Sequence, residues 1–245
     1  MPFALDLDGV IWLADEPIPG AAGAVARLRD AGHQVLFCTN NSSQPVAEVE
    51  AKLDGMGIPA AGDVLTSAMA AAALVEPGER VLVCAGPGVV EALTRRGAVP
   101  VREGDADAVM VGFHRDFDYE RLRIAATAVR HGARLLATND DTSYPTPDGP
   151  IPGGGAILAA VETGSGVRAT VAGKPNPPMA RLVRDRLGAE GVMVGDRPDT
   201  DGRFAAVLGY RFALVLTGVT RDHRQADPAP DLVATDLATL VDDLV

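Results

Sequence analysis

The sequence predicts an α/β protein: a doubly wound parallel-sheet core made from both ends of the chain, with an α/β cap domain inserted between them. Three observations predict it. Short apolar runs alternate with Ala-, Leu- and Arg-rich segments, the pattern of parallel strands joined by crossover helices. The middle of the chain carries its own alternation and begins at a polar breakpoint, Glu76-Pro77-Gly78-Glu79. The polar motifs at strand exits lie on both sides of that middle segment and share one chemistry, so the two flanks read as one domain. The core is therefore assigned to residues 1–76 and 171–245, and the cap to 77–170.

In chain order, Phe3–Leu7 reads as the first strand and Ala21–Ala31 as a helix closed by Gly32. Gln34–Cys38 is the second strand, followed by a helix to about Leu53, a short strand Val64–Thr66 and the Ala-rich segment Ser67–Val75. In the insert, strands Val81–Val83, Ala108–Val111 and Arg134–Thr138 alternate with helices Val89–Arg95 and Tyr119–His131. A loop rich in Asp, Pro and Gly, Asp140–Gly155, precedes a helix over Ala156–Glu162. The returning flank has apolar runs at Ala169–Ala172, Val192–Val194 and Phe212–Leu216, with helical patterns at Pro178–Leu187 and Gly202–Leu208.

Composition narrows the function classes. The chain has 245 residues, 47% hydrophobic and 22% charged, a globular balance with enough apolar surface for a sizeable core. Its 33 Asp and Glu against 22 Lys and Arg give a net charge of −11, and no basic run interrupts the sequence. That argues against nucleic acid and membrane surfaces as partners. It does not argue against phosphates, because a metal ion or a local cation can supply the attraction. The two cysteines, Cys38 and Cys84, sit singly in apolar stretches, so a disulfide framework and a structural zinc site are not expected. No leader-like N-terminus and no bilayer-length apolar stretch is evident, so the expectation is a cytoplasmic protein.

Four motifs carry chemistry, each at a strand exit. Asp6-Leu7-Asp8-Gly9 places two carboxylates together, and on a continuing strand Asp6 and Asp8 project to one side. Paired carboxylates repel unless a cation intervenes, which points to a hard metal such as magnesium. The alternative is an acidic turn after an edge strand. Thr39-Asn40-Asn41-Ser42-Ser43 offers small hydroxyl and amide groups able to cradle phosphate oxygens, or simply to cap the next helix. Lys174, in Gly173-Lys174-Pro175, can neutralise negative charge at the same sheet edge, or be solvated. Gly195-Asp196-Arg197-Pro198-Asp199-Thr200-Asp201 places Asp196 to complete a metal site and Asp201 to orient a water or Lys174, with Asp199 suited to a helix N-terminus.

In this order the motifs resemble the phosphatases of the haloacid dehalogenase superfamily that carry a large cap between the second and third motifs. The match is to the NagD-like and p-nitrophenylphosphatase-like branch, with Leu136-Ala137-Thr138-Asn139-Asp140 and Pro152-Gly153-Gly154-Gly155-Ala156 similar to its cap. The resemblance implies a magnesium-dependent phosphatase on a small phosphate ester, in the sugar phosphate, glycerol phosphate, phosphoglycolate or nucleotide class. It implies Asp6 as the nucleophile that forms an aspartyl-phosphate and Asp8 as the general acid and base. Thr39, Asn40 and Asn41 would bind phosphate, and Lys174 would screen charge. Asp6, the backbone carbonyl of Asp8, and Asp196 would hold Mg2+, with Asp201 behind them. A homodimer through the cap is also implied. An acid at position 8 separates the chain from dehalogenases, and phosphotransfer to an acceptor hydroxyl or a non-catalytic phospholigand sensor are the rival readings.

The sequence departs from the branch at His114, where relatives often have an acid, and at Gly202, where a bulky aliphatic is common. His114 and Arg115, at a cap strand's exit, are candidates for touching substrate. Gly86-Pro87-Gly88 lacks the third glycine of a dinucleotide-binding turn and reads as a tight turn. Trp12 reads as a packing residue beside the first motif, Asp105 and Asp107 as a solvated turn, and His33, His131 and His223 as surface residues.

Overall fold

The computed structural model describes residues 1–14, 16–144, 146 and 149–244, apart from the side chain of Gln225. The chain divides into two compact units. The first comprises Met1–Thr39, Ala47–Leu65 and Lys174–Val245, and the second Asn40–Val46 and Thr66–Gly173.

The first unit is organised by a sheet whose strand order is Leu232–Ala234, Arg211–Val215, Val192–Gly195, Phe3–Leu5, Val35–Thr39, Val64–Thr66. Phe3–Leu5 is flanked in parallel on both sides, Leu5 lying opposite Val194 and opposite Phe37. Chain order runs outward from this strand in both directions, so it marks the topological switch point of a doubly wound sheet, where ligands bind beyond the carboxyl ends. These strands are mostly apolar, and Phe3, Ala4, Leu5 and Val192–Val194 are inaccessible to solvent, as strands covered on both faces must be. Helix Ala21–Asp30 buries Ala21, Ala24, Val25 and Leu28, one face at helical spacing, and keeps Arg27 and Arg29 in its last turn, where cations favour the dipole.

The second unit has its own parallel sheet, in the order Thr170–Val171, Arg134–Ala137, Ala108–Val111, Arg80–Cys84, Val99–Val101. Leu82, Val109, Val111 and Leu135 from this sheet meet Ala125, Val129, Leu158 and Val161 from helices Tyr119–Arg130 and Gly154–Ser165 in one core. Asp118 caps the first of these helices, its side chain accepting from the Arg121 N–H at 2.8 Å.

The α/β, parallel-sheet class is as the sequence predicts, with differences at element ends. The first strand stops at Leu5, short of the expected Leu7. The Leu7 carbonyl instead accepts from the N–H groups of Val10, Ile11 and Trp12, which turns the chain. The alternation that placed Asp6 and Asp8 on one side therefore does not apply. The strands Val99–Val101 and Leu232–Ala234 and helix Leu237–Asp242 were not anticipated. The loop over 140–155 contains a hairpin pairing Ser143 with Pro152, while residues 145, 147 and 148 lie outside the described residues. Among the described residues no helix is long and apolar enough to cross a membrane.

Candidate functional site

At the carboxyl end of the first unit's sheet, two strand exits, one turn and the start of the returning flank bring charged side chains together. Asp6 follows the central strand, and its N–H is held by the Val194 carbonyl at 2.9 Å. Asp196 follows the neighbouring strand Val192–Gly195. Asp201 lies in Pro198–Gly202, a single π-type turn, a wide geometry that recurs at functional sites. Lys174 enters from the start of the returning flank. Its Nζ lies 2.8 Å from Asp6 Oδ1 and 2.7 Å from Asp201 Oδ1. Lys174 is 2% exposed and Asp201 fully buried.

One carboxylate oxygen from each of Asp6, Asp196 and Asp201 lies within 4.8 Å of the others. Three buried carboxylates face one ammonium, leaving negative charge uncompensated in a low-dielectric site. Burial, above all, raises the pKa of Asp6, with the charge of Asp8 adding to it and Lys174 opposing. Burial likewise raises Asp196, reinforced by Asp201 and Asp6. Asp201 is raised by burial too, with Lys174 opposing and Asp6 reinforcing. Burial works against the Lys174 cation, yet Asp201 and Asp6 outweigh it and hold its pKa above the usual lysine range. All-oxygen donors, buried and carrying surplus negative charge, fit a hard divalent cation. Lys174 and the Arg197 N–H (3.2 Å) occupy the oxygens of Asp201. Lys174 likewise meets Asp6 Oδ1, and the Val219 N–H meets Asp196 Oδ2.

The backbone shapes the space around Asp196. Its Oδ2 accepts from the Val219 N–H at 2.5 Å. Gly9 (φ +82°) approaches from one side, where a Cβ would sit 2.5 Å from Asp196 Cγ. Gly218 approaches from the other, and a Cβ there would overlap the Asp196 carboxylate. Thr217 Oγ1 ties this loop to the first, donating to the Gly9 carbonyl at 2.5 Å. Gly218→Ala is therefore expected to destabilise the first unit by about 1–3 kcal/mol, the usual cost of overpacking. Trp12 is the only tryptophan and lies in this unit, so urea unfolding followed by its fluorescence reads the effect. An unchanged midpoint would show that the loop yields freely.

Asp8 is half-buried, its charge is felt by Asp6, and its Oδ1 accepts from the Trp12 indole N–H at 2.9 Å. Trp12 is packed at 5% exposure under Lys52, whose Nζ lies 4.3 Å from the ring centroid. It thus positions an acid as well as filling space, a role its spacing from Asp8 did not disclose. Thr39 ends its strand, 2% exposed. Asn40, Asn41 and His114 belong to the second unit. There Asn40 donates to Asp141 Oδ2 (3.0 Å), and its carbonyl accepts from Ser67 and Asn139. Asn41 Oδ1 accepts from Ser43, an Asx turn, and its amide donates to the Tyr144 hydroxyl at 3.4 Å. The Thr217–Val219 loop was overlooked, although Leu216-Thr217-Gly218 follows an apolar strand as the other motifs do.

Comparison with known proteins follows the same lines. Residues 3–98 match a family described as haloacid dehalogenase-like hydrolase, and 171–240 a second one described as HAD-hydrolase-like. An acid sugar phosphatase from Staphylococcus saprophyticus is 37% identical over 225 residues, covering 89% of this chain and 87% of that protein. A D-glycerol 3-phosphate phosphatase from Mycobacterium tuberculosis is 37% identical over 251 residues, covering 98% and 70%. Among solved structures, a glycerol phosphate phosphatase from Mycobacterium tuberculosis in complex with magnesium superposes with a TM-score of 0.89 at 35% identity, over 98% of this chain and 75% of that one. A 4-nitrophenylphosphatase from Thermotoga maritima gives 0.91 at 32%, over 98% and 96%.

Proposed function

Because the chain belongs to the haloacid dehalogenase-like hydrolases, in their NagD-like and p-nitrophenylphosphatase-like branch, we propose that Asp6 opens a two-step hydrolysis of small phosphomonoesters. The reaction is metal-dependent, and magnesium is the metal. The observation that carries the reading is Lys174, buried and hydrogen-bonded between Asp6 and Asp201, with Asp196 beside them.

In the first step an Asp6 carboxylate oxygen bonds to phosphorus as the ester P–O bond breaks, and Asp8 gives its proton to the departing alkoxide. In the second, water attacks the phospho-aspartate while Asp8 takes its proton, which releases phosphate and restores Asp6. Lys174 keeps the Asp6 oxygen oriented and offsets the charge that crowds the site. Thr39 binds a phosphoryl oxygen at the adjacent strand end. Asp6 and Asp196, with the Asp8 carbonyl, would hold the magnesium ion, which would supply positive charge against the phosphoryl oxygens. Asn40 and Asn41 take part in phosphate binding, and the insert over 77–170 acts as the cap that selects the leaving group of the core, 1–76 and 171–245.

The relatives act on sugar phosphates and glycerol 3-phosphate, so phosphorylated polyols are the first substrates to assay. The general test is release of phosphate from p-nitrophenyl phosphate by the purified chain. Turnover should vanish with a chelator and return with excess magnesium. Full turnover in the chelator would overturn the metal assignment, and no turnover on any ester would favour a phospholigand sensor.

A further inference from the structure

The second unit holds a cleft of about 780 Å³ whose chemistry the hydrolytic reading does not use. His114, 7% exposed, lies in its wall. The ring is fixed, with Nδ1 3.0 Å from the Gly112 carbonyl oxygen and its edge set against Phe117 at 5.7 Å and 86°. A carbonyl only accepts, so a proton is assigned to Nδ1, and in the neutral form of the ring Nε2 offers a lone pair. That atom is buried and meets no hydrogen-bond partner among the described residues. Orphaned buried acceptors are rare because their lost hydration goes uncompensated, and one at a cleft wall marks where a donor belongs.

The rest of the wall says what the donor is attached to. Arg102 and Arg115 are exposed and form no ion pair among the described residues, while Arg121 is paired with Asp116. The cleft's other acid, Glu91, is spent on the Val46 N–H (2.7 Å) and Arg95 (2.8 Å). In a chain of net charge −11, this is a local surplus of cations that attracts an anion. Phe113 stacks on Tyr144 at 4.5 Å and 5°, adding a flat apolar surface suited to the C–H face of a carbon chain or ring.

We propose that this cleft binds a small polyhydroxylated organic anion, a hydroxyl donating to His114 Nε2 and the anionic group meeting Arg115 and Arg102. The volume accommodates a six-carbon ligand with room for water.

Gluconate is the probe, added to full-length chain labelled in its four histidine rings and followed by NMR. The His114 ring signal should move saturably while those of His33, His131 and His223 stay put. Glucose, which lacks the charge, and acetate, which lacks the hydroxyls, should bind at least about tenfold more weakly. His114→Phe should weaken gluconate by about tenfold, and Arg115→Ala, at an exposed position where misfolding is no concern, by about threefold. No His114 shift at tens of millimolar, or a shift unaffected by Arg115→Ala, overturns the proposal. The ligand's source is read from p-nitrophenyl phosphate turnover: gluconate that raises KM alone acts as a substrate's alcohol portion does, and gluconate that changes kcat acts as an effector. Because binding is scored by NMR, a chain that bound gluconate but hydrolysed nothing would refute the hydrolytic reading and leave this one standing.

Discussion

Asp6→Asn is expected to cut phosphate release from p-nitrophenyl phosphate by at least about a thousandfold, the scale on which removing an enzyme's nucleophile acts. The amide has the carboxylate's shape but neither its charge nor its nucleophilic oxygen. The fold should tolerate the exchange, since Lys174 keeps its 2.7 Å bond to Asp201 and the amide oxygen can still accept at the position of Oδ1. It should even gain stability without divalent cations. Burial and the neighbouring Asp8 disfavour ionised Asp6, and Asp196 and Asp201 are each disfavoured in turn by its charge. Removing one of three crowded carboxylates relieves that repulsion. In chelator, the melting transition read by Trp12 should therefore lie at or above the wild-type temperature. A variant retaining more than a tenth of the activity would place the nucleophile elsewhere. One that melts lower would mean that the Asp6–Lys174 attraction outweighs the crowding.

How far the sequence revealed this arrangement depended on whether each signal was local. Asp6 and Asp196 were legible because each follows an apolar run of one parallel sheet, which delivers such exits to one edge. Lys174 follows Thr170–Val171, a strand of the other sheet, so strand-exit reasoning did not account for it. Its pairing with Asp6 was not legible either. Lys174 and Asp6 are far apart in sequence, and only the adjacency of Phe3–Leu5 and Val192–Gly195 shows why they share a pocket with Asp196. The end of the first strand was misread: alternation was carried past Leu5, where the Leu7 carbonyl begins a turn. Leu232–Ala234 was missed for another reason: three residues at a sheet edge carry too little periodicity to stand out. Gly218 resembles any loop glycine until its backbone is seen against the Asp196 carboxylate. His114 drew notice as a departure from the family pattern and by its place at a cap strand's exit, but its unpaired Nε2 is a property of packing.

Lys174→Met tests the electrostatics of the site more severely than any carboxylate exchange. Methionine fills a similar volume, so the loss is almost purely of charge and hydrogen bonds to Asp6 at 2.8 Å and Asp201 at 2.7 Å. Breaking a buried pair by removing one partner costs about 3–5 kcal/mol, a large share of the roughly 5–15 kcal/mol that hold a typical domain together. The Trp12-reported melting temperature should fall by about 6–20 °C in chelator. Two additions separate lost charge compensation from damaged packing. Combining Lys174→Met with Asp201→Asn removes one stranded carboxylate, so the double variant should melt above Lys174→Met alone, a positive coupling that a packing defect would not produce. Excess magnesium should raise the melting temperature of Lys174→Met more than that of the wild type, because the cluster it binds is then more negative by one charge. Neither rescue should restore phosphate release, which needs Lys174 to orient Asp6 as well as to balance it. Additive losses in the double variant, with equal magnesium shifts in both backgrounds, would show that Lys174 serves the fold through its packing and not through its charge.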